Sequence, residues 1–280
     1  MQDIVFDVTN VSRRYNAGRP SLFGSREFIN AVDGVTLSVK RDEVLGIIGE
    51  SGSGKSTLGF LMAGLESVSN GEIAFRGKPL AAMNRSERKA FRQKVQVVFQ
   101  DSGSALNPRR RIINTLRDSL RLRGMPRELR DASAIKLLDQ VGLSSVHAGR
   151  YPHELSGGQR QRVGIARALA MEPEVLIADE PVSALDVSLQ GQIINLLLEL
   201  KARFKLTIVF ISHDIAVVNH ACDRVAVMYR GRLVEVGATD DIIQNPGDSY
   251  TAQLLAAVPR GLAGRNCSLN SDALPTGEGE

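Results

Sequence analysis

Apolar residues in the first third of the chain fall in short β-branched runs rather than helical stripes. Residues 4–11, 35–39, Val44–Ile48 and 72–75 are such runs, and Gly, Asn and Asp separate them. This is the pattern of strands joined by turns. Residues 95–99 predict one more buried strand. The polar stretch between Tyr15 and Ala31, with Asn16-Ala17-Gly18-Arg19-Pro20, predicts an inserted surface loop. From Arg111 to Arg150 the period becomes helical. Ile112, Ile113, Leu116 and Leu120 share one face, Ile135, Leu138 and Val141 form a second stripe, and Gly142 suits a C-cap. A helix is expected after Ser156. Strand and helix then alternate through 175–178, 189–200 and Thr207–Ile211, which predicts a parallel sheet of α/β type. Residues 225–228 and 233–236 flank Arg230-Gly231, a hairpin signal. The stretch from Pro259, rich in Gly, Ser, Asn and Pro and acidic at its end, is expected to be largely disordered. No internal repeat of about 20 to 50 residues is visible.

Composition narrows the class. The 280 residues suffice for one large domain or two small ones, and 43% hydrophobic with 24% charged residues is globular. The longest apolar run, near 206–211, is far short of the roughly 18 to 20 residues of a membrane helix. No span is therefore expected. Met1-Gln2-Asp3 brings neither a basic n-region nor an apolar h-region, so no secretory signal is expected. Two cysteines, Cys222 and Cys267, cannot build a disulfide framework or a four-ligand metal site, and reduced thiols in a cytosolic protein are expected. A net charge of +4 permits nucleic acid or anionic lipid without arguing for either. Arg109-Arg110-Arg111 reads as a solvated turn. The absence of Trp and the 5% aromatic content remove a stacking platform for single strands.

Candidate chemistry begins at Gly49-Glu50-Ser51-Gly52-Ser53-Gly54-Lys55-Ser56, which fits G-x-x-x-x-G-K-[ST] between a strand and the helical Thr57-Leu58-Gly59-Phe60-Leu61. Glycines let backbone N–H groups wrap an anion at a helix N-terminus. Lys55 would reach β- and γ-phosphates, and Ser56 would place its hydroxyl on Mg²⁺. A dinucleotide fingerprint is excluded because Thr57 stands where its third glycine would fall. The apolar strand Val175-Leu176-Ile177-Ala178 delivers Asp179 and Glu180 at its carboxyl end. There Asp179 suits Mg²⁺, and Glu180 suits the orientation and deprotonation of a water. Leu155-Ser156-Gly157-Gly158-Gln159 opens another helix with a hydroxyl and free N–H groups, a second anion cradle. Two cradles fit one site if two chains sit head to tail.

Together these residues resemble the signature set of ATP-binding cassette (ABC) proteins, over roughly residues 4–237. The resemblance implies that Tyr15 stacks on adenine and that Gln100 touches Mg²⁺ and the attacking water. It implies that the Ser183-Ala184-Leu185-Asp186 loop crosses between the two sites. His213 would contact the γ-phosphate, and Gly157 and Gln159 would join Ser156 and Gly158 in facing the partner's nucleotide. The segments at 100–109, 182–188 and 250–259 are similar to the oligopeptide/dipeptide/nickel uptake group, and the loop at 16–30 is similar to an insertion of its F-type subunit. Many members of that group carry a cysteine cluster after the tail segment. Here only Cys267 remains there, so no iron–sulfur cluster is expected.

The resemblance implies a P-loop NTPase (RecA-like) α/β core with an antiparallel β subdomain and an inserted α-helical subdomain. The ATPase domain would span 1–260, with core 1–100 and 165–238, helical subdomain about 101–164 and C-terminal extension 239–280. The implied activity is hydrolysis of ATP with Mg²⁺ by an importer subunit on the cytoplasmic face of the cell membrane. The implied partners are a second cassette, homologous or identical, two membrane-spanning permease subunits and, indirectly, an extracytoplasmic solute-binding protein, with no nucleic acid. The alternative is a cassette ATPase of a soluble complex of the carbon–phosphorus lyase type.

Overall fold

The structure is a computed structural model and describes residues 3–16, 28–100 and 105–257. Most of the expected inserted loop, residues 101–104, the stretch from Pro259 and Cys267 lie outside the described residues.

A six-stranded sheet forms the centre, in the order β10-β9-β3-β8-β7-β6. It consists of β3 (Val44–Ile48), β6 (Val95–Val98), β7 (Val175–Asp179), β8 (Thr207–Ile211), β9 (Arg224–Tyr229) and β10 (Arg232–Ala238). All neighbours are parallel except β9 and β10. That pair is the predicted hairpin, with Arg230 and Gly231 both at positive φ (47 and 83), as a two-residue turn of the primed type requires. A second, antiparallel sheet has the order β2-β1-β4-β5. Its strands are β1 (Ile4–Asn16), β2 (Phe28–Lys40), β4 (Asn70–Phe75) and β5 (Lys78–Pro79). β1 and β2 extend well past the predicted runs at 4–11 and 35–39. Their outer ends, residues 13–16 and 28–31, are half-buried or exposed, and are held by their mutual pairing and by contacts such as the Arg14 N–H on Ser69 Oγ (3.1 Å) and the Tyr15 hydroxyl on Glu66.

Central strands are apolar on both faces because both faces are covered. Leu45, Ile47, Val175, Ile177, Val209 and Ile211 pack toward the antiparallel sheet, while Val44, Ile48, Leu176, Ala178, Ile208 and Phe210 pack toward the helices. Phe6, Phe75 and Phe91 form an aromatic cluster in the first of these layers, with centroids 5.1 to 6.3 Å apart. The helices are α1 (Lys55–Met62), α2 (Arg85–Lys94), α3 (Ile112–Arg123), α4 (Arg130–Gln140), α5 (Gly157–Leu169), α6 (Val187–Phe204), α7 (Ile215–Ala221), α8 (Thr239–Gln244) and α9 (Ser249–Ala256). Helices α3, α4 and α5 contact one another as a helical layer. Ile112, Leu116, Leu120, Leu138 and Val141 are buried there as the period predicted, with Ile113 and Ile135 half-buried. Gly142, at φ 70, follows the end of α4. Arg109 to Arg111 are exposed, as a solvated turn should be. The polar α2 was not visible in the sequence because Phe91 is its one buried residue.

Candidate functional site

The first part of the site is the turn between β3 and α1. Gly49 has φ +147, and a Cβ there would lie 2.1 Å from the Met228 carbonyl oxygen; Gly54 has φ +101, and a Cβ there would lie 2.0 Å from the Ala31 carbonyl oxygen. No side chain fits at either place, so the loop is pressed between β9 and β2. Lys55 folds back over it. Its Nζ donates to the carbonyl oxygens of Gly49 (2.8 Å) and Glu50 (2.7 Å), which leaves one of three N–H groups for another acceptor. Burial lowers the Lys55 pKa, against the opposing pull of Glu180, Asp179 and Glu50. Ser53 Oγ is buried with no partner among the described residues. The N-cap of α1, Gly54, offers no side-chain acceptor to the helix's first N–H groups. An ammonium, an orphaned hydroxyl and an uncapped helix N-terminus at one turn fit a phosphate group.

The acids arrive from neighbouring strands. Asp179 ends β7, which pairs with β8 between β7 and β3. Its Oδ1 accepts from Ser56 Oγ at 2.7 Å. Burial raises the Asp179 pKa; the Ser56 hydrogen bond opposes this, the Glu180 charge adds to it, and the Lys55 charge opposes it. This pair of hard oxygen groups beside a phosphate cradle fits Mg²⁺, which takes few protein ligands and keeps waters and phosphate oxygens. Glu180 sits at φ 44 with its N–H on the Ile211 carbonyl (2.9 Å). Gln100 Nε2, two residues past β6, donates to Glu180 Oε2 at 2.9 Å. His213 Nδ1, two residues past β8, lies 3.2 Å from Glu180 Oε1. The carboxyl ends of four adjacent strands therefore bring Lys55, Ser56, Gln100, Asp179, Glu180 and His213 together, where open α/β sheets bind ligands. Glu180, oriented from two sides with 17% of its side chain exposed, is placed to accept a proton from a water.

A second cluster forms elsewhere. Ser156 caps α5 reciprocally with Gln159: the Ser156 hydroxyl accepts from the Gln159 N–H (3.3 Å), and Gln159 Oε1 accepts from the Ser156 N–H (3.0 Å). Gly157 and Gly158 face Leu185 and Leu189, where a Cβ would come within 3.3 and 3.4 Å. Asp186 caps α6 through the Leu189 N–H (2.9 Å). The Ser156 to Gln159 turn and Asp186 thus meet across one small interface, joined to the first cluster through the 180–186 loop, where the Ser183 hydroxyl donates to the Glu180 carbonyl (3.2 Å). Tyr15 stands at the exposed end of β1, hydrogen-bonded to Glu66 and under the Arg13 guanidinium. Its register partner is Ile29, two residues before the Ala31 carbonyl that floors the loop. Nothing in the sequence signals that Met228, Ala31 or Tyr250 touches the loop, since each comes from a remote strand or helix.

Comparison with known proteins decides what this arrangement is. An ABC transporter family model matches residues 32–183. The chain belongs to the ABC transporter family. The cassette is 46% identical over 262 residues to the oligopeptide transport ATP-binding protein AppF of Bacillus subtilis (strain 168), covering 92% of this chain and 79% of that one. It is 42% identical over 261 residues to the dipeptide transport ATP-binding protein DppF of Escherichia coli (strain K12), covering 93% and 78%. Its backbone is similar to the dimeric post-hydrolysis structure of the ATP-binding cassette MJ0796 bound to ADP and Pi, with a TM-score of 0.74, 31% identity, and coverage of 84% of this chain and 98% of that one. The cassette is an ATP-binding, ATP-hydrolysing subunit of a transport system. No helix among the described residues is long and apolar enough to cross a membrane.

Proposed function

We propose that this cassette energises uptake of peptides or related small solutes from the cytoplasmic face of the cell (inner) membrane, working with two membrane-spanning permease subunits. The observation that carries the reading is the convergence of Lys55, Ser56, Gln100, Asp179, Glu180 and His213 at one sheet edge, in a chain similar along nine-tenths of its length to peptide-transport ATP-binding proteins. In this reading the Gly49 to Thr57 loop, with Glu50, Ser51, Gly52 and Ser53, holds the phosphates of ATP while Tyr15 faces adenine. Ser56, Asp179 and Gln100 would hold Mg²⁺, which supplies charge neutralisation at the phosphates. Glu180 takes the proton of the attacking water, and His213 holds Glu180 and senses the γ-phosphate. The separate cluster of Ser156, Gly157, Gly158, Gln159 and Asp186 serves the partner's nucleotide. Both half-sites are present in one chain, so a homodimer is chemically possible. Pairing with a similar but distinct cassette is the arrangement favoured by resemblance to the F-type subunits.

The division into core 1–100 and 165–238, helical insert about 101–164 and extension 239–280 suits this mechanism, because the helical insert carries Ser156 to Gln159 while the core supplies Asp186. A groove of about 1330 Å³, lined by Leu65, Val97, Phe99, Leu122 and Met171 and rimmed by Arg88 and Arg92, lies beside Gln100 and suits cytoplasmic helices of the permeases. The transport names of the relatives favour this assembly over a soluble complex of the carbon–phosphorus lyase type. A tagged pull-down from detergent-solubilised membranes tests it. Two multi-span proteins with a second cassette, and indirectly a solute-binding protein, are expected. Recovery with soluble enzyme subunits alone would overturn it.

A further inference from the structure

The C-terminal helix α9 touches the phosphate loop. Tyr250 Oη accepts a hydrogen bond from the Glu50 backbone N–H at 3.1 Å, across 200 positions of sequence. That N–H belongs to the Gly49–Glu50 peptide group, whose carbonyl oxygen accepts from Lys55 Nζ at 2.8 Å. One peptide unit is therefore held at both ends, by a phenol on one side and by the phosphate-reaching ammonium on the other. Hydrogen bonds in such a chain polarise and strengthen one another.

The phenol is itself fixed. Its ring lies 4.2 Å from the ring of Tyr229, the residue after Met228, against whose carbonyl Gly49 is pressed. Asp248 caps α9 through the Tyr250 N–H (2.7 Å). Glu235 of β10 accepts from the N–H groups of Gly247 (2.8 Å) and Asp248 (3.3 Å). Thr251 is fully buried. Partial burial also raises the Tyr250 pKa, so the neutral phenol persists well above neutral pH.

We propose that Tyr250 is a positioning residue for the phosphate loop: by holding the Gly49–Glu50 peptide it orients Lys55, and α9 thereby sets the affinity for ATP. The inference rests on the reading of residues 49–57 as the phosphate loop. It assigns to the extension after β10 a part in nucleotide binding, and it makes α9 reciprocally sensitive to nucleotide, as coupled equilibria must be.

Tyr250→Phe in the full-length chain keeps the ring and its packing on Tyr229 and deletes the hydroxyl that accepts from the Glu50 N–H. One neutral hydrogen bond, partly replaceable by water, corresponds to a loss of about threefold to tenfold. The expected result is a KM and Kd for MgATP raised by about that factor, with kcat at saturation and the nucleotide-free Tm close to wild type. Unchanged affinity overturns the inference, as does a fall in kcat at saturation accompanied by a fall in the nucleotide-free Tm, which would mark a merely structural residue. Hydrogen exchange of the wild-type chain is the second test. MgADP should slow exchange in residues 249–256, and no change there overturns the proposal. Lys55→Ala separates the two readings. If that variant binds nucleotide like wild type, the phosphate-loop assignment itself fails; if it binds weakly while Tyr250→Phe is unaffected, only the role of Tyr250 fails.

Discussion

Replacing Glu180 by glutamine preserves the side chain's volume and removes one charge and one acceptor oxygen. In the native site, Glu180 Oε2 serves Gln100 Nε2 at 2.9 Å and Oε1 faces His213 Nδ1 at 3.2 Å. An amide retains one oxygen for Gln100 Nε2, and its NH₂ can donate to His213 Nδ1 once the imidazole carries its proton on Nε2. His213 is 57% exposed, so water accommodates the change of tautomer and the folding cost is small. The chemistry suffers more, because the group placed to accept the water's proton is gone. General-base removal costs about 10²- to 10⁴-fold in rate, which at 1.36 kcal/mol per factor of ten is roughly 3 to 5 kcal/mol in the barrier. Lys55, Ser56 and Asp179 keep their contacts, so the affinity for MgATP should stay within about threefold, a tolerance set by ordinary mutational scatter. Phosphate release at saturating MgATP and equilibrium titration with a labelled ATP separate the two quantities. A kcat loss below tenfold, or a loss matched by the change in Kd, would refute the assignment of Glu180 as the base.

Lys55→Ala should weaken nucleotide binding by at least about tenfold, since a charge-assisted contact to phosphate is lost; titration with a labelled nucleotide checks it. Asp179→Asn should abolish Mg²⁺-dependent hydrolysis yet raise the nucleotide-free Tm. The folded-state pKa of Asp179 lies above its ordinary value, so ionising it opposes folding, and a neutral isostere is relieved of that opposition. The Tm advantage should be fully present above the folded-state pKa and vanish as pH falls toward 3.8, which scanning calorimetry across pH can follow. Gly49→Ala would put a methyl group 2.1 Å from the Met228 carbonyl at φ +147. The loop must move, and MgATP affinity should fall by more than tenfold, as about 1.4 kcal/mol or more of strain implies. Wild-type affinity in that variant would contradict the close approach of loop and β9.

What the sequence settles here is local. The strand–loop–helix at 44–62, the acids at the end of Val175–Asp179, the opening of α5 after Ser156 and the hairpin at Arg230-Gly231 each depend on neighbours a few positions away. Propensity, capping and glycine chemistry act at that range, and these features were legible. The helical stripe at 112–141 was legible too, because burial on one face imprints a period on the residues. Helix α2, with Phe91 alone buried, and the seven-residue α7 carry too little period to be seen. Strands β1 and β2 outrun their apolar patterns because their outer registers are set by each other. Motif order pointed to Gln100, Glu180 and His213, but only the strand order β8-β7-β6 puts Gln100 Nε2 and His213 Nδ1 on one carboxylate. The Gly49 contact with Met228 and the Tyr250 contact with Glu50 have no sequence sign at all. Such contacts join segments that chain entropy keeps apart until the sheet and its two cores have formed, so the packed tertiary structure alone decides them.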